Sequence, residues 1–393
     1  MSAPAAPQNE RAGERAGEAG GLYVHLPFCP YLCPYCDFAK WPRRKSSAQR
    51  YLEALQCELE SAPPFRATTL FLGGGTPNTY EPETIARLVG VLSRCFALAP
   101  GAEATIEMNP DPPLCGGFER YREAGINRVS LGVQSFAAAE LAVLGRRHSA
   151  EDAAEAVRRA RAAGIANVAL DLIFGVPGQS VASWRATLQA ALALEPEHLS
   201  TYGLTIEPGT RFAAWHAREP GAFASNDLEA ELYGLAIDTL SAAGYEHYEI
   251  SNFARPGFRS AHNANYWANG DYLGLGVGAA SYRGGVRSVN VRDLESYCTA
   301  ALGRLPIPSD SERLEGPARA GEAVMLALRT AEGVDAAAFA ERYGIDFLSY
   351  YAPVLAEMTS AGMLERTGVR VKLTRRGRFV ANDVCAAFVT FRT

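Results

Sequence analysis

No run of apolar residues in the 393-residue chain approaches the roughly 18 that a bilayer-spanning helix needs, so a transmembrane segment is not expected. Residues 1–20 are mostly Ala, Pro, Gly, Glu and Arg without an apolar h-region, and read as a disordered tail rather than a secretory signal. Arg11 and Arg15 hint at an organelle-targeting peptide, but Glu10, Glu14 and Glu18 oppose it. The net charge of -5 gives no general attraction to nucleic acid or anionic lipid. Eight cysteines in so long a chain do not make a secreted disulfide framework, and the expected compartment is the reducing cytoplasm. With 48% hydrophobic and 21% charged residues, what remains is an ordinary globular chain of two or three domains.

Three of those cysteines are clustered. Cys29, Cys33 and Cys36 follow a short apolar run with C-x3-C-x2-C spacing. Pro27, Pro30 and Pro34 prevent an uninterrupted helix there, because each lacks an N–H and fixes φ. A loop wrapping a compact inorganic group fits better, and thiolates favour an iron–sulfur cluster, or zinc with His25 as fourth ligand. Three thiolates can hold three corners of an iron–sulfur cube and leave the fourth iron open to a small molecule. Gly73-Gly74-Gly75-Thr76-Pro77 comes directly after another apolar run. Consecutive glycines let a ligand approach the backbone. No Lys-Ser/Thr pair follows, which argues against a phosphate loop.

Strands are expected at residues 22–25, 68–72, 104–108, 128–133, 167–173 and 198–202, and helices at 48–61, 83–96, 117–124, 150–163 and 181–193. Such alternation predicts right-handed βαβ units and a parallel sheet. Six repeats are too few for a closed eight-fold barrel and suit an open partial (β/α)6 barrel, with a doubly wound sheet as the alternative. The unusual residues gather at strand ends, where barrel enzymes bind ligands. Residues 203–290 are less regular, with a helix at 228–243 and a glycine-rich run at 273–280. After Pro306 and Pro308, residues 311–393 read as a small winged-helix-like domain: helices at 321–328, 335–343 and 353–361, then a two-stranded wing from 363–373 and 377–380. The division is a tail at 1–20, the barrel with an extension at 21–310, and the winged domain at 311–393. Arg366, Arg370, Lys372, Arg375, Arg376 and Arg378 make the wing basic. A lid or a docking surface explains them better than DNA, and no nucleic-acid partner is expected.

Tyr23, the three cysteines with Tyr35 just before the last, and the G-G-G-T-P run resemble the radical S-adenosylmethionine superfamily. That resemblance implies a [4Fe–4S] cluster on Cys29, Cys33 and Cys36, with S-adenosylmethionine chelating the open iron. It narrows to the branch of the oxygen-independent coproporphyrinogen III oxidases and HemW-type haem chaperones, through Glu107-Met108-Asn109-Pro110, Gly132-Val133-Gln134-Ser135-Phe136, the run from Asp171 to Pro177 and the run from Tyr248 to Phe253. By family position Tyr23, Gly74 and Glu107 would contact the cluster-bound S-adenosylmethionine. Gly75, Thr76, Gln134, Arg146, Asp171 and Gly203 match a second S-adenosylmethionine site of the oxidase.

Two features separate the branches. The oxidase carries a further cysteine two residues after the third, where this chain has Phe38. Conversely, His262-Asn263-Ala264-Asn265-Tyr266-Trp267 matches the H-N-x-x-Y-W motif of the chaperones. The resemblance thus implies haem as a ligand, with His262 as iron ligand, Asn263, Tyr266 and Trp267 beside the porphyrin, and His25 and His247 as competitors. It also implies an acceptor haem protein, in the cytoplasm or at a membrane, and is compatible with a homodimer. Oxidative decarboxylation of coproporphyrinogen III is the alternative activity.

Overall fold

The computed structural model describes residues 19–391. The expected tail lies outside the described residues except for Ala19 and Gly20, which open the first strand. The strands β1 (Ala19–Leu26), β2 (Arg66–Gly74), β3 (Glu103–Met108), β4 (Arg128–Gln134), β5 (Asn167–Phe174) and β6 (His198–Gly203) run parallel and lie side by side in chain order. The helices Lys45–Ser61, Pro82–Cys95, Phe118–Glu123, Ala150–Ala162 and Val181–Ala193 connect them. Strictly sequential order decides for the partial barrel, since a doubly wound sheet reverses direction at a switch point.

The sheet extends beyond the six expected strands at both edges. Antiparallel β7 (Asn252–Ala254) pairs with β6, and β8 (Tyr272–Leu275) pairs parallel to β1. β9 (Ala280–Arg283), β10 (Val286–Asn290) and β11 (Ser309–Arg313) then continue antiparallel from β8. The glycine-rich run at 273–280 therefore begins in a strand. A Cβ on Gly274 would stand 2.0 Å from the Ala280 carbonyl oxygen, so glycine there permits the tight return into β9. The boundary read at 310/311 cuts β11, which belongs to the large sheet.

Along each barrel strand side chains alternate between two environments. One set, including Leu22, Val24, Leu70, Leu72, Ile106, Val129, Leu131, Leu170 and Leu172, is buried in a single core with Leu55, Val89, Tyr121, Ala156 and Trp184 from the helices. Each such side chain contributes roughly 1.5–3 kcal/mol when fully buried. The other set, which includes Tyr23, Glu107, Arg128, Ser130, Asp171 and Ser200, lines an internal cavity. The barrel is therefore hollow and polar inside.

The C-terminal domain packs the helices Gly316–Leu328 and Ala381–Val389 around Val324, Leu328, Phe347, Tyr351 and Phe388. Its wing is the hairpin Leu364–Thr367 and Arg370–Leu373, whereas residues 377–380, expected as a strand, mostly belong to the helix Arg375–Phe379. Thr374 caps that helix through the Gly377 N–H. Much of the wing's positive charge is held within the chain: Arg370 pairs with Asp335, Lys372 with Glu365, and Arg375 with Asp238 on the barrel.

A buried carboxylate secures the chain that follows β8. Glu58 accepts hydrogen bonds from the Gly276 N–H at 2.7 Å, the Tyr297 hydroxyl at 2.7 Å and Asn290 Nδ2 at 2.9 Å. Removing one side chain leaves three donors without a partner, each costing about 1–3 kcal/mol. Glu58→Ala is expected to lower the unfolding midpoint in denaturant sharply, whereas Glu53→Ala on the exposed face should leave it nearly unchanged.

Candidate cofactor and ligand site

The chain leaves β1 at Leu26 and enters the cysteine loop, which is joined to the glycine run by backbone bonds. Gly75 N–H donates to Leu26 O at 2.9 Å and Thr76 N–H to Phe28 O at 3.0 Å. A Cβ on Gly75 would lie 2.7 Å from the Pro27 carbonyl carbon, so this glycine permits contact between two loops. Gly74 has φ +108, and a Cβ there would strike the His25 ring at 2.5 Å. The glycines thus hold the cysteine loop in place as well as opening the backbone to a ligand.

Cys29 is buried, Cys33 and Cys36 are half-buried, and all three are free thiols. Among the described residues no group of three or more His, Cys, Asp or Glu is gathered tightly enough for a single metal ion. His25 is also committed: Nδ1 lies 2.9 Å from the Tyr23 hydroxyl and Nε2 2.7 Å from Ala39 O. The donor set fits a cluster and disfavours zinc with His25. Arg146 places Nη1 3.6 Å from Cys33 Sγ and donates from Nη2 to Asn109 Oδ1 at 2.8 Å, supplying positive charge beside the thiols.

Tyr23, Gly74, Gly75, Thr76, Glu107, Gln134, Arg146, Asp171 and Gly203 all line one cavity of about 1280 Å³ with the three cysteines. This exceeds the roughly 300–1,000 Å³ of an ordinary small-molecule pocket, leaving room for more than one ligand. Glu107 at the end of β3 accepts from the Gly74 N–H at 3.1 Å. Ser130 donates to Asp171, 3.0 Å from Oδ2. Gln134 holds φ +67 at the end of β4, a conformation a non-glycine residue adopts at some cost and one that recurs at ligand sites.

The H-N-x-x-Y-W segment is not an open loop. It forms the helix Ala261–Trp267, whose first amides donate to Glu103. Asn263 and Tyr266 reach the cavity wall, whereas His262 and Trp267 are outside it. The His262 ring is 1% exposed and stacks on Phe71 at 5.0 Å. Nδ1 lies 2.8 Å from Thr69 Oγ1 and Nε2 2.8 Å from the Tyr266 hydroxyl. Burial pulls this imidazole down to about 3, so it stays neutral. With both nitrogens engaged, His262 would have to give up its hydrogen bond to Thr69 or to Tyr266 before it could ligate an iron. His247 is likewise held, between Arg378 and Ile250 O.

Sequence reasoning missed part of this wall. Tyr202, Tyr233, Arg329, Arg378 and Phe379 also line the cavity. Three of these come from the C-terminal segment, and no local spacing announces a residue delivered across a domain interface.

A hollow parallel barrel with three free thiols at the end of its first strand is the architecture of the radical S-adenosylmethionine proteins, and the Radical SAM superfamily model matches residues 23–191. A HemN C-terminal domain model matches residues 314–380. The chain is 35% identical to a protein named Heme chaperone HemW from Bacillus subtilis, over 93% of this chain and 98% of that one. It is 38% identical to the Mycobacterium tuberculosis protein of that name, over 94% of both. The solved coproporphyrinogen III oxidase (HemN) of Escherichia coli, a radical SAM enzyme, superposes with a TM-score of 0.83 at 26% identity, over 95% of this chain and 91% of that one. The chain belongs to the HemW family.

Burial first, then the negative charge of Asp171, raises Glu107 to about 7, with the Gly74 N–H acting the other way. Because the folded protein binds this proton more tightly than the unfolded chain, the associated stability is complete below pH 4.5 and is lost as pH rises through about 7. In the ligand-free protein Glu107→Gln should therefore be more stable than the parent at pH 8, by up to about 3 kcal/mol at roughly 1.4 kcal/mol per pH unit. That advantage should disappear below pH 4.5, as read from denaturant midpoints across the pH range.

Proposed function

We propose that the protein is a haem chaperone that binds haem in the barrel cavity and passes it to an acceptor haem protein. The observation that carries this reading is Phe38, which takes the place of the oxidase's additional cysteine and is 59% exposed on the cavity wall beside Cys36. A phenyl ring can neither ligate nor exchange protons as a thiol does. The names of the relatives along nearly the whole chain favour the same reading.

In this account Cys29, Cys33 and Cys36 hold a [4Fe–4S] cluster, and S-adenosylmethionine binds against Tyr23, Gly74 and Glu107. When bound, these two groups supply one-electron chemistry. The chain's residues do the positioning: Glu107 offers a carboxylate fixed by the Gly74 amide, and Arg146 offers a cation for a carboxylate or for the cluster's negative charge. Gln134, Arg146, Asp171 and Gly203 would form the second S-adenosylmethionine site with Gly75 and Thr76. The helix Ala261–Trp267 packs His262 among Thr69, Phe71 and Tyr266, and Tyr266 faces the ligand space. No helix among the described residues is long and apolar enough to cross a membrane. We place the protein in the cytoplasm, with an acceptor there or at the membrane face and with room for a homodimer.

Retention of Gln134, Arg146 and Asp171 on the cavity wall favours the oxidase as the second reading. Full-length protein with a verified cluster should load haem and transfer it to an apo-haem protein, followed by the acceptor's Soret band. It should form no protoporphyrinogen IX from coproporphyrinogen III beside an active oxidase control. Folded His262→Ala should lose stability yet keep stoichiometric haem. Turnover of coproporphyrinogen, or an absence of haem loading in the parent, would overturn the chaperone reading.

A further inference from the structure

One stretch of the cavity wall is aromatic where the barrel meets the C-terminal domain. The Phe174 ring lies 6.0 Å from Tyr233 with an 18° interplanar angle, and Phe379 meets Tyr233 edge-on at 5.2 Å. Phe379 is 37% exposed and Tyr202 41%, whereas Phe174 and Tyr233, at 7% and 8%, are largely buried. Exposed apolar surface gathered at one place marks a binding site rather than a surface at rest.

Two arginines stand in the same wall. Arg378 directs Nη1 to His247 Nδ1 at 2.6 Å, and burial lowers His247 to about 4, so that partner is neutral at pH 7. Arg329 donates from Nη2 to Asn382 Oδ1 at 2.6 Å, again a neutral partner. Their neighbour Arg375 differs, making a two-pronged contact with Asp238 at 2.6 and 2.9 Å. The acidic groups nearby are Glu249, Glu229 and Asp383. Burial raises Glu249 to about 7, with Arg329 acting the other way, and burial also raises Glu229. Asp383 lines the wall on the exposed side. The local arrangement is thus an exposed Phe379 backed by Tyr233, with two guanidinium groups whose hydrogen-bond partners are neutral.

We propose that Arg329 and Arg378 bind the two propionate groups of a porphyrin whose ring lies against Phe379, with Tyr233 behind it. This rests on the reading that the protein binds haem, and adds which part of the wall takes it and by which edge. Both propionates leave one edge of the macrocycle, so two cations lining the same cavity can match them. Guanidinium–carboxylate contacts are directional and strong in a partly dry cavity. Aromatic faces suit the ring itself. Both arginines belong to the C-terminal segment, so that domain would form half of the haem seat rather than an outer cover.

The test titrates full-length protein, by Soret absorbance, with haem and with haem dimethyl ester, whose propionates carry no charge. Arg329→Gln/Arg378→Gln should weaken haem binding roughly 100-fold, about tenfold for each charged contact, and leave the ester nearly unaffected. Arg378→Gln alone should show the same selectivity at about tenfold, and serves if the double variant does not fold. Equal haem affinity in folded variant and parent would overturn the proposal while leaving the chaperone reading intact. So would an equal loss for haem and ester, which marks a collapsed pocket. A parent that binds neither compound would overturn both.

Discussion

The polar interior of the barrel is the constraint on which the rest depends. A strand must place successive side chains on opposite faces, and here one face is apolar and fused to the helices while the other carries Tyr23, Glu107, Arg128, Ser130, Asp171 and Ser200. Charged groups of that kind cannot be packed together dry without large desolvation costs. The interior therefore stays open and is lined by groups that titrate abnormally or lack partners. Arg128 Nε and His198 Nδ1 are both buried without a hydrogen bond in the structure. Stability comes from the outer layer between strands and helices, which leaves the inner face free to serve ligands.

A hollow barrel needs its ends defended. At one end the cysteine loop is fastened to the glycine run by backbone bonds, and the fit is close enough that Gly74 and Gly75 admit no side chain. On another side the helix Ala261–Trp267 presses His262 between Thr69 and Tyr266, with Glu103 capping the helix's first amides. The C-terminal domain covers a third side through Arg375–Asp238, Arg378–His247 and the Phe379–Tyr233 contact. Three unrelated devices thus frame one space large enough for more than one cofactor-sized molecule.

The six barrel strands and their helices were legible because each is a compact apolar run with turn residues at its ends. β8 was not, because four residues interrupted by Gly274 look like a loop until β1 supplies the pairing partner. Residues 377–380 misled in the opposite sense: short and partly apolar, they are mostly helical because Thr374 caps a turn. The cysteines, Gly74, Glu107, Arg146 and Asp171 could be found from spacing and family position, and all meet in the cavity. The packing of His262 could not. A motif states which residues belong together, but whether an imidazole faces a ligand or fills a gap beneath Phe71 depends on long-range packing. The contributions of Arg329, Arg378 and Phe379 were hidden for the same reason, since they come from another domain.

The central claim is that cluster and haem share this one cavity. The most direct measurement is an iron-edge anomalous difference map of crystals of the full chain loaded anaerobically with cluster and haem. The account predicts iron density among Cys29, Cys33 and Cys36 and a separate haem iron within the same cavity, near the wall formed by Tyr233 and Phe379. A haem iron bonded to His262, or lying on the outer surface, would contradict it.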